Sequence, residues 1–356
     1  MFRELLVYAR QEFPQVEWDL FAPRGYEAIQ VDGVCTQLVN VDSGNLAARL
    51  AADHFYVPEA ARRRGCRALI TVGFLPRICP LPAAVHVLTL HHLDKTNQTG
   101  RLRSEYRRRE INRVLAKAEL VITNSCVAAN ELMTLQPSVT NRLLVSHEGI
   151  DHEVFHPVAP TDEVERLKEG LSLSPNYILW VSNFYPYKQL NLLLEAYAGL
   201  TETEREAHPL VLVGGDWQGS RSRTEELAAS LGISRNLRFP GWVAEEWIAP
   251  LYRHAAIHVL ASRSETFGRS VLEAMACGAP CVVNDIPIMR EVTAGNAIFT
   301  DFTDREASTA ALRQALIETA MIAELRRNGI ERARHFSMRK LARERVAAVL
   351  ERLSWR

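Results

Sequence analysis

Glu265 and Glu273 stand with seven residues between them in the segment SETFGRSVLEAMACGAP (264–280), and the residues around them limit what the two carboxylates can do. The apolar run AAIHVLA (255–261) ends in Ser262, Arg263 and Ser264, the pattern of a buried strand entering a loop at its carboxyl end. Gly268 then precedes RSVLEAMAC, where Val271, Leu272, Met275 and Ala276 recur at helical spacing and Gly278 follows as a stop signal. A helix start presents unbonded amides backed by the helix dipole, which favours an anion such as a diphosphate. On this reading Glu265 faces a crevice above a sheet. Glu273, about one turn inside the helix, can accept hydrogen bonds from a pair of sugar hydroxyls.

Lys188 supplies a positive charge for such an anion. It closes the loop SNFYPYKQ after the apolar run YILWV (177–181) and precedes a helix with Leu190, Leu193, Leu194 and Tyr197 on its apolar side. A lysine so placed can reach a diphosphate and neutralise the charge growing on a leaving group. Gly214, Gly215 and Asp216 close another apolar run, where small residues let a ligand approach the backbone.

The segment 264–280 resembles the retaining glycosyltransferases of family 4, which carry two glutamates at this spacing around a Phe-Gly pair, ahead of a helix similar to Leu272–Gly278. The resemblance extends over nearly the whole chain and implies the GT-B fold: two Rossmann-like doubly wound α/β domains facing across a cleft, with a last helix crossing back to the first domain. It implies that Glu265 contacts the transferred sugar, that Glu273 holds the nucleotide ribose, and that the amides near Phe267, Gly268 and Arg269 receive the donor diphosphate. FPGWV (239–243) resembles the stretch whose main chain meets the nucleobase, which makes Val243 a donor-site residue beside Gly214. HVLTLHHLDKTN (86–97) aligns His91 with a histidine near the sugar and the acceptor hydroxyl, with His92 in place of an aspartate. Asn124 and Ser125 match a strand-end Asn-Ser pair. SHEGIDHEVFHP (146–157) resembles the domain-crossover signature, with Glu148 where an asparagine is usual.

The chain departs from the family pattern in two further places. Ser182 and Asn183 replace a glycine-arginine pair, and Gln189 replaces a glycine, so diphosphate stabilisation leans on Lys188 and the helix amides. The first element, within MFRELLVYARQEFPQVEWDLFAP, reads as an amphipathic helix with Phe2, Leu5, Leu6, Tyr8 and Ala9 turned to a core. An α/β unit of this type is expected to open with a strand and a glycine-rich turn. Either the natural reading frame starts upstream of Met1 or the protein is a shortened, impaired relative.

The elements that must position these residues alternate between strand-like and helix-like patterns, which argues for parallel sheets covered on both faces. WDLFA (18–22), ALITV (68–72), VHVLTL (85–90) and ELVITN (119–124) belong to a first α/β unit, residues 1–157. YILWV, LVLVGG (210–215), LRFPG (237–241), IHVLA (257–261) and PCVVN (280–284) belong to a second, residues 158–335. The polar, proline-punctuated HPVAPTDEVE (156–165) joins them. The tail 336–356 reads as the returning helix, with Trp355 as its last anchor.

Composition agrees with two globular domains: 356 residues, 47% hydrophobic and 24% charged. A formal net charge of zero gives no support for nucleic-acid binding. The arginine-rich stretch from Arg101 to Arg113 permits contact with an anionic lipid or acceptor. A solvated face paired to Glu105 and Glu110 is the simpler account. Six scattered cysteines without zinc-ligand spacing fit inert buried thiols in a reducing cytosol. Neither a signal peptide nor an apolar run of about twenty residues is evident, which leaves a cytoplasmic protein with at most a peripheral contact at the inner face of a membrane.

The expected activity is transfer of a sugar, with retention, from a nucleotide-diphosphate sugar to a hydroxyl of a saccharide or lipid-linked acceptor. No metal and no cofactor are expected, since Lys188 and the helix amides would carry the leaving-group charge and no Asp-x-Asp triplet is present. Two other readings are a catalytically impaired nucleotide-sugar-binding or scaffold relative, and, less favoured, a phosphorylase or epimerase on the same architecture.

Overall fold

The computed structural model describes residues 2–24, 31–42, 45–72, 74–86, 101–317 and 319–353. The chain divides into two compact units, 1–149 with 338–356, and 150–337.

The first unit opens with the helix Phe2–Glu12, followed by strands β1 (Trp18–Arg24) and β2 (Val34–Asp42), which pair in parallel. Strands β3 (Leu69–Val72), β4 (Ala83–His86), β5 (Leu120–Thr123) and β6 (Leu143–Val145) then form a parallel sheet in chain order. Ala9 of the opening helix is fully buried with Ala342 and Val346 of the helix Met338–Leu353, and Leu5 and Tyr8 pack beside them. Glu12 adds ion pairs to Arg339 (3.1 Å) and Arg343 (2.5 Å). The apolar stripe legible in the first residues therefore docks on the returning helix. Farther along that helix, Arg345 is buried and reaches Ser146 O (3.1 Å) and Glu148 Oε1 (3.2 Å), so Glu148 anchors the helix to the segment after β6.

The arginine-rich helix Arg101–Lys117 forms the pairs expected of it, Arg109 to Glu105 (3.2 Å) and Arg113 to Glu110 (2.8 Å). Arg77 also pairs with Glu110, and Val114 and Leu115 of the same helix are fully buried.

The second unit is a six-stranded parallel sheet of β7 (Tyr177–Val181), β8 (Leu210–Val213), β9 (Leu237–Gly241), β10 (Ala255–Leu260), β11 (Cys281–Asn284) and β12 (Ile298–Thr300), ordered β12-β11-β10-β7-β8-β9. Consecutive residues of a strand point to opposite faces. Tyr177, Leu179, Val211, Val213, Leu260 and Val283 accordingly join one buried cluster, and Ile178, Trp180, Leu210, Leu212, Val259 and Val282 join another. Burial on both faces is why these strands read as unbroken apolar runs. The chain starts in the middle of this sheet, runs outward through β8 and β9, and returns to place β10 on the other side of β7. Crossovers therefore leave β7 and β10 in opposite directions, which opens a crevice above their carboxyl ends.

Three features depart from the sequence reading. Strands β2, β6 and β12 carry weak signals: β2 (VCTQLVNVD) mixes polar and apolar residues, and β6 and β12 are three residues long. The cysteines are not uniformly buried: Cys277 and Cys281 are, Cys66 and Cys79 are half-buried, and Cys35 and Cys126 are exposed. Glu163, part of the polar joining segment, is buried: its side chain is only 2% exposed and pairs with Arg253 (2.6 Å). Trp355 lies outside the described residues.

Candidate active site

The crevice between β7 and β10 brings Lys188 and Glu265 together. Lys188 ends a short 3-10 turn (Pro186–Lys188) five residues beyond Asn183, and Glu265 lies in the coil after β10. The amide of Arg263 donates to Tyr187 O (2.9 Å), which ties one loop to the other. As a result Lys188 Nζ donates to Glu265 Oε1 at 2.6 Å, with the two side chains 12% and 8% exposed. The ammonium also sits 5.2 Å from the centre of the Tyr187 ring, a face that stabilises a cation.

Gly268 is the N-cap of the helix Arg269–Ala276 and holds φ +87°, a conformation that favours glycine. A Cβ at this position would come 2.2 Å from Met289 Cε, the mobile end of a side chain that would have to shift, so it is the backbone conformation that demands glycine. The amides of Val271 and Leu272 bond to Gly268 O. A helix start of this kind turns its first amides, here those of Arg269 and Ser270, toward the side on which an anion binds.

Glu273 sits on the same helix with its carboxylate held at both oxygens. Oε1 accepts from Arg269 Nε (2.9 Å) and Oε2 from the buried Tyr252 hydroxyl (3.2 Å). The sequence reading missed Tyr252, which lies in the short helix Ile248–Arg253 ahead of β10. Its only sequence signal is an aromatic residue with a polar tip in an apolar stretch, a group that needs a partner when buried.

The remaining donor-site candidates line the neighbouring loops. Gly214 holds φ +146°, and a Cβ there would lie 1.8 Å from Ser182 O, so the loop after β8 packs directly on the loop after β7. Asn183 Oδ1 accepts from Gly215 N (3.1 Å) and staples the same two loops. Gly241 O accepts from Gly214 N (2.9 Å), which brings the end of β9 into the series; Val243 is buried just beyond, and Trp242 between them is 77% exposed. The Phe267 side chain is buried with its ring 5.7 Å from that of Phe336, so what it can offer a ligand is main chain. His91 lies outside the described residues.

Beneath the crevice, His258 of β10 is fully buried. Its Nδ1 donates to Leu179 O (3.1 Å), its Nε2 has no hydrogen-bond partner among the described residues, and its ring meets the Tyr252 ring edge-on at 5.3 Å. Burial, with the nearby Lys188 charge adding to it, pushes the imidazole down to about 3 and keeps it neutral.

Comparison with known proteins bears on this unit most directly. Residues 161–336 match the family model described as glycosyl transferases group 1. Mannosylfructose-phosphate synthase of Agrobacterium fabrum is 27% identical over 250 residues, 65% of this chain and 54% of the relative. D-inositol 3-phosphate glycosyltransferase of Frankia alni is 32% identical over 207 residues, 56% of this chain and 49% of the relative. The matched region thus spans about half the length of these curated relatives. Among solved structures, sucrose-phosphate synthase from Thermosynechococcus elongatus superposes with a TM-score of 0.78 at 20% identity, covering 97% of this chain and 91% of that one. Anabaena HepE in complex with UDP-glucose gives 0.76 at 18% identity, covering 98% and 95%. The fold is that of the GT-B glycosyltransferases.

Proposed function

Through residues 161–336 this chain belongs to the glycosyl transferases group 1 family, and on that premise we propose that it transfers a sugar, with retention of configuration, from a nucleotide-diphosphate sugar to an acceptor hydroxyl. The observation that carries the reading is the Lys188–Glu265 pair, set between β7 and β10 beside the helix start at Gly268. In an open α/β sheet that crevice is where ligands bind.

The donor diphosphate lies against the Arg269 and Ser270 amides and takes the Lys188 ammonium as counter-ion. Glu265, no longer held by Lys188, then orients the transferred sugar. The acceptor hydroxyl attacks from the side on which the diphosphate departs: its oxygen bonds to the anomeric carbon as the bond from that carbon to the phosphate oxygen breaks, and its proton passes to the departing diphosphate. Lys188 and the amides stabilise the charge on the departing diphosphate, and this fixed positive charge supports a reaction that requires no divalent metal. The main chain after β9 meets the base, and Glu273 accepts hydrogen bonds from the ribose. The acceptor is a saccharide or lipid-linked saccharide. Such an acceptor also suits a protein acting in the cytoplasm at the inner face of a membrane.

A thermal-shift screen with UDP, GDP, ADP and their sugars tests the donor assignment, because a ligand that binds only the folded state raises its stability by mass action. A true donor raises the melting temperature, and transfer or hydrolysis of that nucleotide sugar follows, with EDTA having no effect. Lys188→Ala and Glu265→Ala each lower turnover by about 100-fold or more while the circular dichroism spectrum is kept. Near-normal transfer by either variant overturns the assignment. Donor binding without any turnover favours the alternative, a nucleotide-sugar-binding scaffold.

A further inference from the structure

Tyr252 is fully buried, and its hydroxyl donates to Glu273 Oε2 at 3.2 Å. Burial first, then the adjacent Glu273 carboxylate, pushes the phenol well above its ordinary value, so it stays a proton donor. The ring is fixed from several sides. His258 meets it edge-on at 5.3 Å, and Phe155 lies tilted at 6.4 Å. Its backbone is fixed as well: Leu251 O accepts from the buried Tyr177 hydroxyl (2.8 Å), and Arg253 forks onto Glu163 through Nε (2.8 Å) and Nη2 (2.6 Å).

A rigid donor on one carboxylate oxygen and Arg269 on the other fix how Glu273 is turned. Rotating the carboxylate plane would lengthen both bonds. A carboxylate has about four acceptor positions, more than the two that Tyr252 and Arg269 take. A carboxylate held in this way can present both oxygens to two neighbouring hydroxyls, the arrangement a ribose offers and a 2′-deoxyribose does not.

We propose that Tyr252 is a positioning residue that aims Glu273 at the two ribose hydroxyls and thereby sets the preference for ribonucleotides over 2′-deoxyribonucleotides. This rests on the donor reading above, in which Glu273 is the ribose contact. Tyr252 itself touches no ligand.

Binding of UDP, GDP and ADP, each against its 2′-deoxy counterpart, is measured by calorimetry for the wild type, Tyr252→Phe and Glu273→Ala. Wild type prefers the ribose form of whichever nucleotide binds, and Glu273→Ala loses that preference. In Tyr252→Phe the ribose form weakens by about 5- to 20-fold while the deoxy form is nearly unchanged, because a single charge-assisted hydrogen bond no longer orients the acceptor. In turnover, the rise in donor KM outweighs the change in kcat. A purely structural role would lower the melting temperature and weaken both nucleotide forms alike. A wild-type ribose preference in Tyr252→Phe, with that preference lost in Glu273→Ala, overturns the role of Tyr252 alone. Preference retained in Glu273→Ala, or no binding of any of the three diphosphates, overturns the ribose contact and the inference with it.

Discussion

The two ends of the second-unit sheet each hold a buried ion pair, and the pairs are built differently. At the amino end, Arg253 forks onto Glu163 with bonds of 2.8 and 2.6 Å, His254 Nε2 adds a contact to Glu163 Oε1 at 3.0 Å, and Arg253 Nη1 reaches His156 O at 3.1 Å. At the carboxyl end, Lys188 meets Glu265 through one contact of 2.6 Å. A planar guanidinium with several fixed partners is a joint, whereas a lysine is a point charge on a flexible stem that can exchange one anion for another. Burial costs both pairs solvation, so the comparison concerns what each can do once formed. The amino-end pair ties the start of the unit to β10. The carboxyl-end pair keeps a cation and a carboxylate ready at the place where a ligand arrives.

The largest expected effect separates the two ends most sharply. A Lys188→Met/Glu265→Gln double variant removes both charges, so it should melt at or above the wild-type temperature while turnover falls by about 1,000-fold, since paired buried charges are often replaceable without loss of stability. A lowered melting temperature would show that this pair, too, is structural. Next comes Glu163→Ala, which strands the buried Arg253 and should cost about 3–5 kcal/mol in urea unfolding. Nucleotide binding by the protein that remains folded should persist, and an unchanged unfolding midpoint would remove the distinction.

Acid should probe the region between the ends. His258 is held at about 3 in the folded state against 6.5 for an unburied histidine, so below 6.5 the unfolded chain takes up a proton that the folded chain does not. Stability should therefore fall as the pH drops, by about 2 kcal/mol between pH 7 and pH 5. In His258→Leu this part of the slope should vanish, and an unchanged slope would place the titration elsewhere. Glu163 acts lower. Burial alone would raise its carboxyl, but the hydrogen bonds and charge of Arg253, with His254, hold it below 4.5. Its contribution is complete above 4.5 and should be lost as the pH falls through the depressed folded value, a smaller signal seen only below pH 4.5 and absent from Glu163→Gln.

The same contrast explains what could be read in advance. β7, β8, β10 and β11 were legible because a strand buried on both faces must be apolar throughout. β2 was not, because it pairs only with β1 among the described residues and leaves Leu38 exposed, so its pattern is mixed. The helix start at Gly268 was legible because glycine, helical periodicity and a stop signal are local. Glu163 looked like part of a polar joining segment, since its partner Arg253 lies 90 residues away. Glu148, where the family pattern has an asparagine, finds its reason in Arg345, 197 residues later.

By itself the sequence determined the alternation of elements, the glycine-capped helix start and the types of the charged groups, because each follows from periodicity or from a backbone conformation that few residues adopt. Tertiary structure decided which charges meet. Lys188 and Glu265 are 77 residues apart and become neighbours only because the sheet reverses its order and sets β10 against β7. Tyr252 reaches Glu273 for the same reason: the short helix before β10 and the helix after it pack on one face of the sheet. No local pattern encodes either encounter, since each depends on where a crossover returns the chain.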